Sequence, residues 1–126
     1  MNVYHSKYNK LAGTSYREIE GKARLIYKSE VAKSKRNPYV RSAFFKKEKV
    51  FLALFWSHLN QKTRRCRKQR LKYFECALDL LKNTTCAPIT KPNPNGRNEL
   101  VHRFGGITKD SELFYVQVKE DLKSGE

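Results

Sequence analysis

The sequence predicts an α+β fold in which helices pack on one face of a small antiparallel sheet. Three observations predict it. Leu71, Phe74, Leu78 and Leu81 step by three, four and three residues, the period of a helix with one apolar stripe. Residues 50–56 are apolar at all seven positions, as expected of a helix buried on every side. Residues 99–104 and 113–119 alternate in side-chain character around Gly105, Gly106 and the polar stretch Thr108-Lys109-Asp110-Ser111, the pattern of an antiparallel hairpin.

Element by element, Ser15-Tyr16-Arg17-Glu18 has the Ser-x-x-Glu form of a capping box. Ile19, Ala23, Ile26 and Tyr27 then recur near helical spacing, so a first helix is expected over 16–33. Pro38 ends it, because the residue before a proline is pushed toward extended geometry. A short extended segment follows at 39–45, then the buried helix at 47–60, where His58 is expected to be a core or boundary residue. The striped helix ends near Asn83. Pro88, Pro92, Pro94 and Asn95-Gly96 make 84–98 a long irregular loop. The last residues read as a turn with no strand after it, so either one more strand is expected beyond them or a sheet edge is left unpaired. The 126 residues suit a single domain, 1–126, in which 1–14 are expected to be flexible.

Composition narrows the function. The 27 Lys and Arg against 12 Asp and Glu give a net charge of +15, which repels itself unless an anionic partner screens it. Nucleic acid is the partner expected, and a membrane is not. The longest apolar run is seven residues where a bilayer needs about 20, and nothing at the N-terminus resembles a secretion signal, so a cytoplasmic location is expected. Cys66, Cys76 and Cys86 lie ten apart and fit neither a zinc site nor a Cys-x-x-Cys pair; they are expected to be reduced and structural.

The surplus charge is local. Residues 1–74 hold 20 basic and 4 acidic side chains, whereas 75–126 hold 7 and 8. The densest stretch, 62–72, contains Lys62, Arg64, Arg65, Arg67, Lys68, Arg70 and Lys72 and no acid. Cations at a helix start oppose its dipole and repel one another, so an anionic ligand explains the run better than helix stability does. These residues, with Arg41, are the expected nucleic-acid contacts.

His5, His58 and His102 fall on three segments without metal-ligand spacing, and there is no Gly-x-x-x-x-Gly-Lys loop, so no metal or cofactor is expected. In the hairpin, opposing Thr108 to Ser111 sets His102 against Gln117, Phe104 against Tyr115 and Leu100 against Lys119. One face then displays His102, Tyr115, Gln117 and Lys119. The other carries Val101, Phe114, Val116 and Val118 toward the helices, with Arg103 as its awkward member. A turn with an odd number of residues would exchange His102 and Arg103 between faces. An imidazole beside a phenol and an ammonium can transfer protons and stabilise an oxyanion without metal. That suits RNA cleavage by attack of the 2′-hydroxyl on its own phosphate.

Residues 39–45, 71–81, 100–108 and 114–121 resemble phage and mobile-element domains grouped with the barnase, EndoU, colicin and RelE-like ribonucleases. The resemblance implies helices on one face of the sheet and RNA on the other. It also implies metal-independent cleavage, in a toxin or effector held in check by an antitoxin or immunity protein. His102 would be the general acid or base, Arg103 and Lys119 would stabilise phosphate charge, and Tyr115 would position or protonate. Two other functions fit the same residues: a noncatalytic nucleic-acid-binding module, and a protein-interaction domain for an acidic partner.

Overall fold

The computed structural model describes residues 3–31, 39–52, 55, 56, 59, 61, 63–92 and 98–121. In order these form β1 (Val3–His5), α1 (Tyr16–Val31), β2 (Tyr39–Ser42), β3 (Glu48–Phe51), α2 (Arg64–Lys72), α3 (Phe74–Asn83), β4 (Ile89–Pro92), β5 (Glu99–Ile107) and β6 (Leu113–Asp121). The fold is α+β. Among the described residues, three helices accompany a four-stranded mixed sheet and a two-stranded antiparallel ribbon of β2 and β3.

β5 organises the main sheet. One of its edges pairs antiparallel with the whole of β6. Its other edge is shared end to end, by β4 antiparallel along Leu100 to Arg103 and by β1 parallel along Gly105 to Ile107. The sheet is therefore mixed, not purely antiparallel, because β1 reaches it from a distant part of the chain.

The helices cover one face only. From the sheet, Phe104 and Phe114 are buried with Leu71, Phe74, Leu78, Leu80 and Leu81 of α2 and α3, and Val116 and Val118 pack against this cluster. Gly106 lets the layers meet. A Cβ there would lie 2.8 Å from Phe114 Cε1 and 2.9 Å from Leu80 Cδ1, closer than carbon atoms pack. Gly105 and Gly106 stay in register with Tyr115 and Phe114, so neither is a bulge.

Four elements differ from the sequence expectation, each for a physical reason. The N-terminal segment holds β1, whose short run is stabilised by non-local pairing. The start of the expected helix at 47–60 is β3: Val50 and Phe51 oppose Val40 and Tyr39 across a tight turn. A run of apolar residues has no period to separate strand from helix; Phe55, Trp56 and Leu59 are helical, while His58 lies outside the described residues. The striped helix is broken at Tyr73 (φ −93°, ψ 6°) into α2 and α3. Finally, the expected loop contains β4, all four of whose residues are exposed, so backbone pairing and not burial holds it.

A buried carboxylate pins β1 to α3. Asp79 Oδ2 accepts from the Ser6 hydroxyl at 2.8 Å and the Tyr4 hydroxyl at 3.0 Å, and Oδ1 accepts from Asn83 Nδ2 at 2.9 Å. Burial, reinforced by the Asp79 bond, pushes the Tyr4 phenol up to about 12. Burial likewise pushes the Cys76 thiol up to about 11.

Two outcomes follow for stability. Gly106→Ala should lower the urea midpoint by the equivalent of roughly 1–3 kcal/mol, the usual cost of overpacking. The second outcome concerns alkaline pH. Tyr4 and Cys76 stay protonated in the fold beyond their ordinary values of 10 and 9, so their contribution is complete below about pH 9 and disappears as pH rises toward 12. Urea midpoints measured from pH 8 to 12 should fall over that window, and Tyr4→Phe should flatten the part between 10 and 12.

Candidate nucleic-acid interface

The β5–β6 register decides which side chains share a surface. Residues 108–112 form a five-residue connection between Ile107 and Leu113, which are paired. The odd length sets Arg103 opposite Gln117, His102 opposite Val118 and Val101 opposite Lys119. His102 and Arg103 therefore exchange faces relative to the expected register. Arg103, not His102, lies on the open face with Tyr115, Gln117 and Lys119. Val101 joins them there, while Phe104 opposes Val116 on the helix side.

His102 is 6% exposed. Its Nε2 lies 2.9 Å from Glu120 Oε1 and its Nδ1 lies 2.8 Å from Thr90 Oγ1. A carboxylate only accepts, so Nε2 carries a hydrogen and Nδ1 meets the Thr90 hydroxyl. The Phe45 ring closes over the imidazole edge-on at 4.9 Å. Both nitrogens are thus engaged in a clip across β4, β5 and β6, and the ring presents neither to the open face.

That open face is built in rows across three strands. Ile89, Arg103 and Gln117 form one row, and Lys91, Val101 and Lys119 the next. With strands about 4.8 Å apart, the backbones of Lys91 and Lys119 are separated by about 10 Å. On the other side of Arg103, Gly105 opposes Tyr115. The Arg103 guanidinium lies 4.7 Å from the Tyr115 ring centroid, while Tyr115 remains 49% exposed. Leu113 and Ile89 are also exposed. Beyond the lysine row, Glu99 stands on the same face of β5.

Among the described residues, the expected basic contacts do not join this face. Thr63 caps α2, its hydroxyl accepting from Cys66 N at 3.3 Å, and the first turn has no acid. Arg65 is exposed, but Lys68 Nζ donates to the Thr14 carbonyl and Arg67 lies over the Tyr16 ring at 5.6 Å. Arg70 Nε donates to Cys66 Sγ at 3.4 Å. α2 packs on α1 in the helical layer. Arg41 belongs to the β2–β3 ribbon. Lys62 and the Arg64 side chain lie outside the described residues. Among the described residues, the expected basic contacts thus lie on helix α2 and on the ribbon, apart from the open sheet face.

Lys91 and Ile89 are the members of the sheet face that sequence reasoning missed. Their signal was the alternation Ile89-Thr90-Lys91, obscured by the prolines around it. A cleft of about 90 Å³ elsewhere, between Lys7, Tyr8, Glu30 and Lys82, contains none of the expected site residues.

His102→Ala should lower the denaturation midpoint by the equivalent of roughly 2–4 kcal/mol, since it removes two part-buried hydrogen bonds and leaves a void under Phe45. Urea unfolding followed by tryptophan fluorescence checks this; an unchanged midpoint would show that the clip carries no stability. Comparison with protein-family models, with curated proteins and with solved structures finds no match to this chain.

Proposed function

We propose that this domain binds single-stranded nucleic acid on the open face of its sheet, without cleaving it. The observation that carries the proposal is the exposed Tyr115 ring with Arg103 against it, beside the lysine row of Lys91 and Lys119. An exposed ring offers a stacking surface that tolerates any base, and the surrounding cations attract the phosphates. The net charge of +15 adds long-range attraction for the same ligand. A face open on one side of a sheet backed by helices also agrees with what the resemblance to barnase, EndoU, colicin and RelE-like ribonucleases implies, and RNA is the form of ligand that this resemblance favours. Cleavage is not part of the proposal, because His102, the group expected to move protons, is engaged by Thr90 and Glu120 behind the sheet.

Fluorescence anisotropy with a labelled oligouridine tests the proposal. Tyr115→Ala should weaken binding by about 1–3 kcal/mol, the usual worth of one base stacked on an aromatic ring. Arg103→Ala should weaken it as well and should lower the slope of log K against log salt by about 0.7, the loss of one phosphate contact on a single strand. The RNA should remain intact during the measurement. Affinity unchanged in both variants would overturn the assignment to this face.

A further inference from the structure

The β2–β3 ribbon presents a second surface of the same chemistry. Its alternation sends Val40 and Ser42 inward, where they are 4% and 0% exposed. The pairs Tyr39 with Phe51 and Arg41 with Lys49 fall on the opposite face. There the Tyr39 ring is approached by Lys49 Nζ at 4.7 Å, by the Arg41 guanidinium at 5.4 Å and by the Phe51 ring at 6.2 Å. Phe51 stays 56% exposed, second only to Leu25 among the described large apolar side chains. The turn adds Lys46 and Lys47, both left-handed (φ 55° and 70°), positions where glycine or asparagine would be less strained. Residues 41–49 thus carry four cations and one acid, Glu48.

The ribbon is held firmly. Lys47 N donates to the Ser42 carbonyl at 2.8 Å, and Ala43 N donates to the Leu81 carbonyl of α3. Phe44 and Phe45 pack edge-on against Phe104 at 5.6 and 5.9 Å, and Phe45 also covers His102. Phe51 pairs with Tyr39 across the strands, yet more than half of it stays in water, next to the ring that Arg41 and Lys49 approach and on an element fastened to the core at its turn.

We infer that the outer face of the β2–β3 ribbon is a second contact for single-stranded nucleic acid, with Phe51 stacking a base and Arg41, Lys47 and Lys49 holding phosphates. The inference rests on the proposed function, and it extends the bound strand beyond the sheet. Charge complementarity selects the occupant: a polyanion suits the cations, and a base suits the exposed ring, whereas an acidic protein would use only the former.

The experiment compares a labelled 6-nucleotide oligouridine, short enough for one surface, with a 30-nucleotide one. The variants are Phe51→Ala and the double variant Arg41→Ala/Lys49→Ala, with Tyr115→Ala as the reference for the sheet, each checked for folding by circular dichroism and melting temperature. The expected result is a 5- to 50-fold loss of affinity for the long strand in each ribbon variant. The double variant should also show a salt slope smaller by about 1.4, two single-strand contacts at 0.7 each. Unchanged long-strand affinity in the ribbon variants, with Tyr115→Ala still defective, overturns the ribbon contact and leaves the sheet reading standing. Loss in the ribbon variants alone upholds the ribbon and overturns the sheet reading. No binding by the parent protein overturns both. Equal loss of binding to poly-L-glutamate marks a general polyanion patch and overturns the assignment to nucleic acid.

Discussion

The connection from Thr108 to Glu112 sets the register on which the remaining arrangement depends. Thr108 N donates to the Glu112 carbonyl at 2.8 Å and Ser111 N to the Thr108 carbonyl at 2.9 Å, with Ser111 left-handed at φ 71°. The Thr108 hydroxyl donates to Asp110 Oδ1 at 2.6 Å and accepts from Glu112 N at 2.9 Å. From outside the turn, Lys109 N donates to the Tyr8 carbonyl and Asp110 N to Asn9 Oδ1. A four-residue connection would turn every side chain of one strand to the other face. Phe114 would then leave Gly106, and Arg103 would be driven under the helices. The core and the open face therefore have one common cause.

The N-terminal segment contributes to that cause and is itself fastened by Asp79. A carboxylate 5% exposed is tolerable because three side-chain donors meet it. The bonds from Tyr4 and Ser6 fasten β1 to α3, and backbone pairing sets it along β5, which brings Tyr8 and Asn9 to the hairpin turn. The two polar clusters thus support each other across one end of the sheet.

Charge is distributed independently of this scaffold. The cations of α2, of the ribbon and of the open face lie on separate elements, and several are already engaged by the protein: Arg41 by the Lys47 carbonyl, Lys68 by that of Thr14, Arg103 by Tyr115. Where a cation lies on an exposed ring, as at Tyr115, or on a half-buried ring paired with an exposed one, as at Tyr39 beside Phe51, phosphate and base recognition can occur at one place. That pairing distinguishes the sheet face and the ribbon from α2, where the Arg67–Tyr16 contact joins two helices.

Much of this organisation is legible in the sequence because it is local. The capping box and apolar period mark α1, the stripe Leu71, Phe74, Leu78 and Leu81 marks the α2–α3 segment and its end at Asn83, and the alternation around Gly105 and Gly106 marks β5 and β6. The residue types of the candidate interface, Arg103, Tyr115 and Lys119, are legible for the same reason. Only the tertiary structure decided what depends on distant partners. β1 and β4 exist as strands because β5 offers them an edge, and Val50 and Phe51 extend because Val40 and Tyr39 face them. Above all, the count of residues in one turn placed Arg103 in the open and His102 behind the sheet. Side-chain alternation repeats every two residues, so composition is blind to a shift of one.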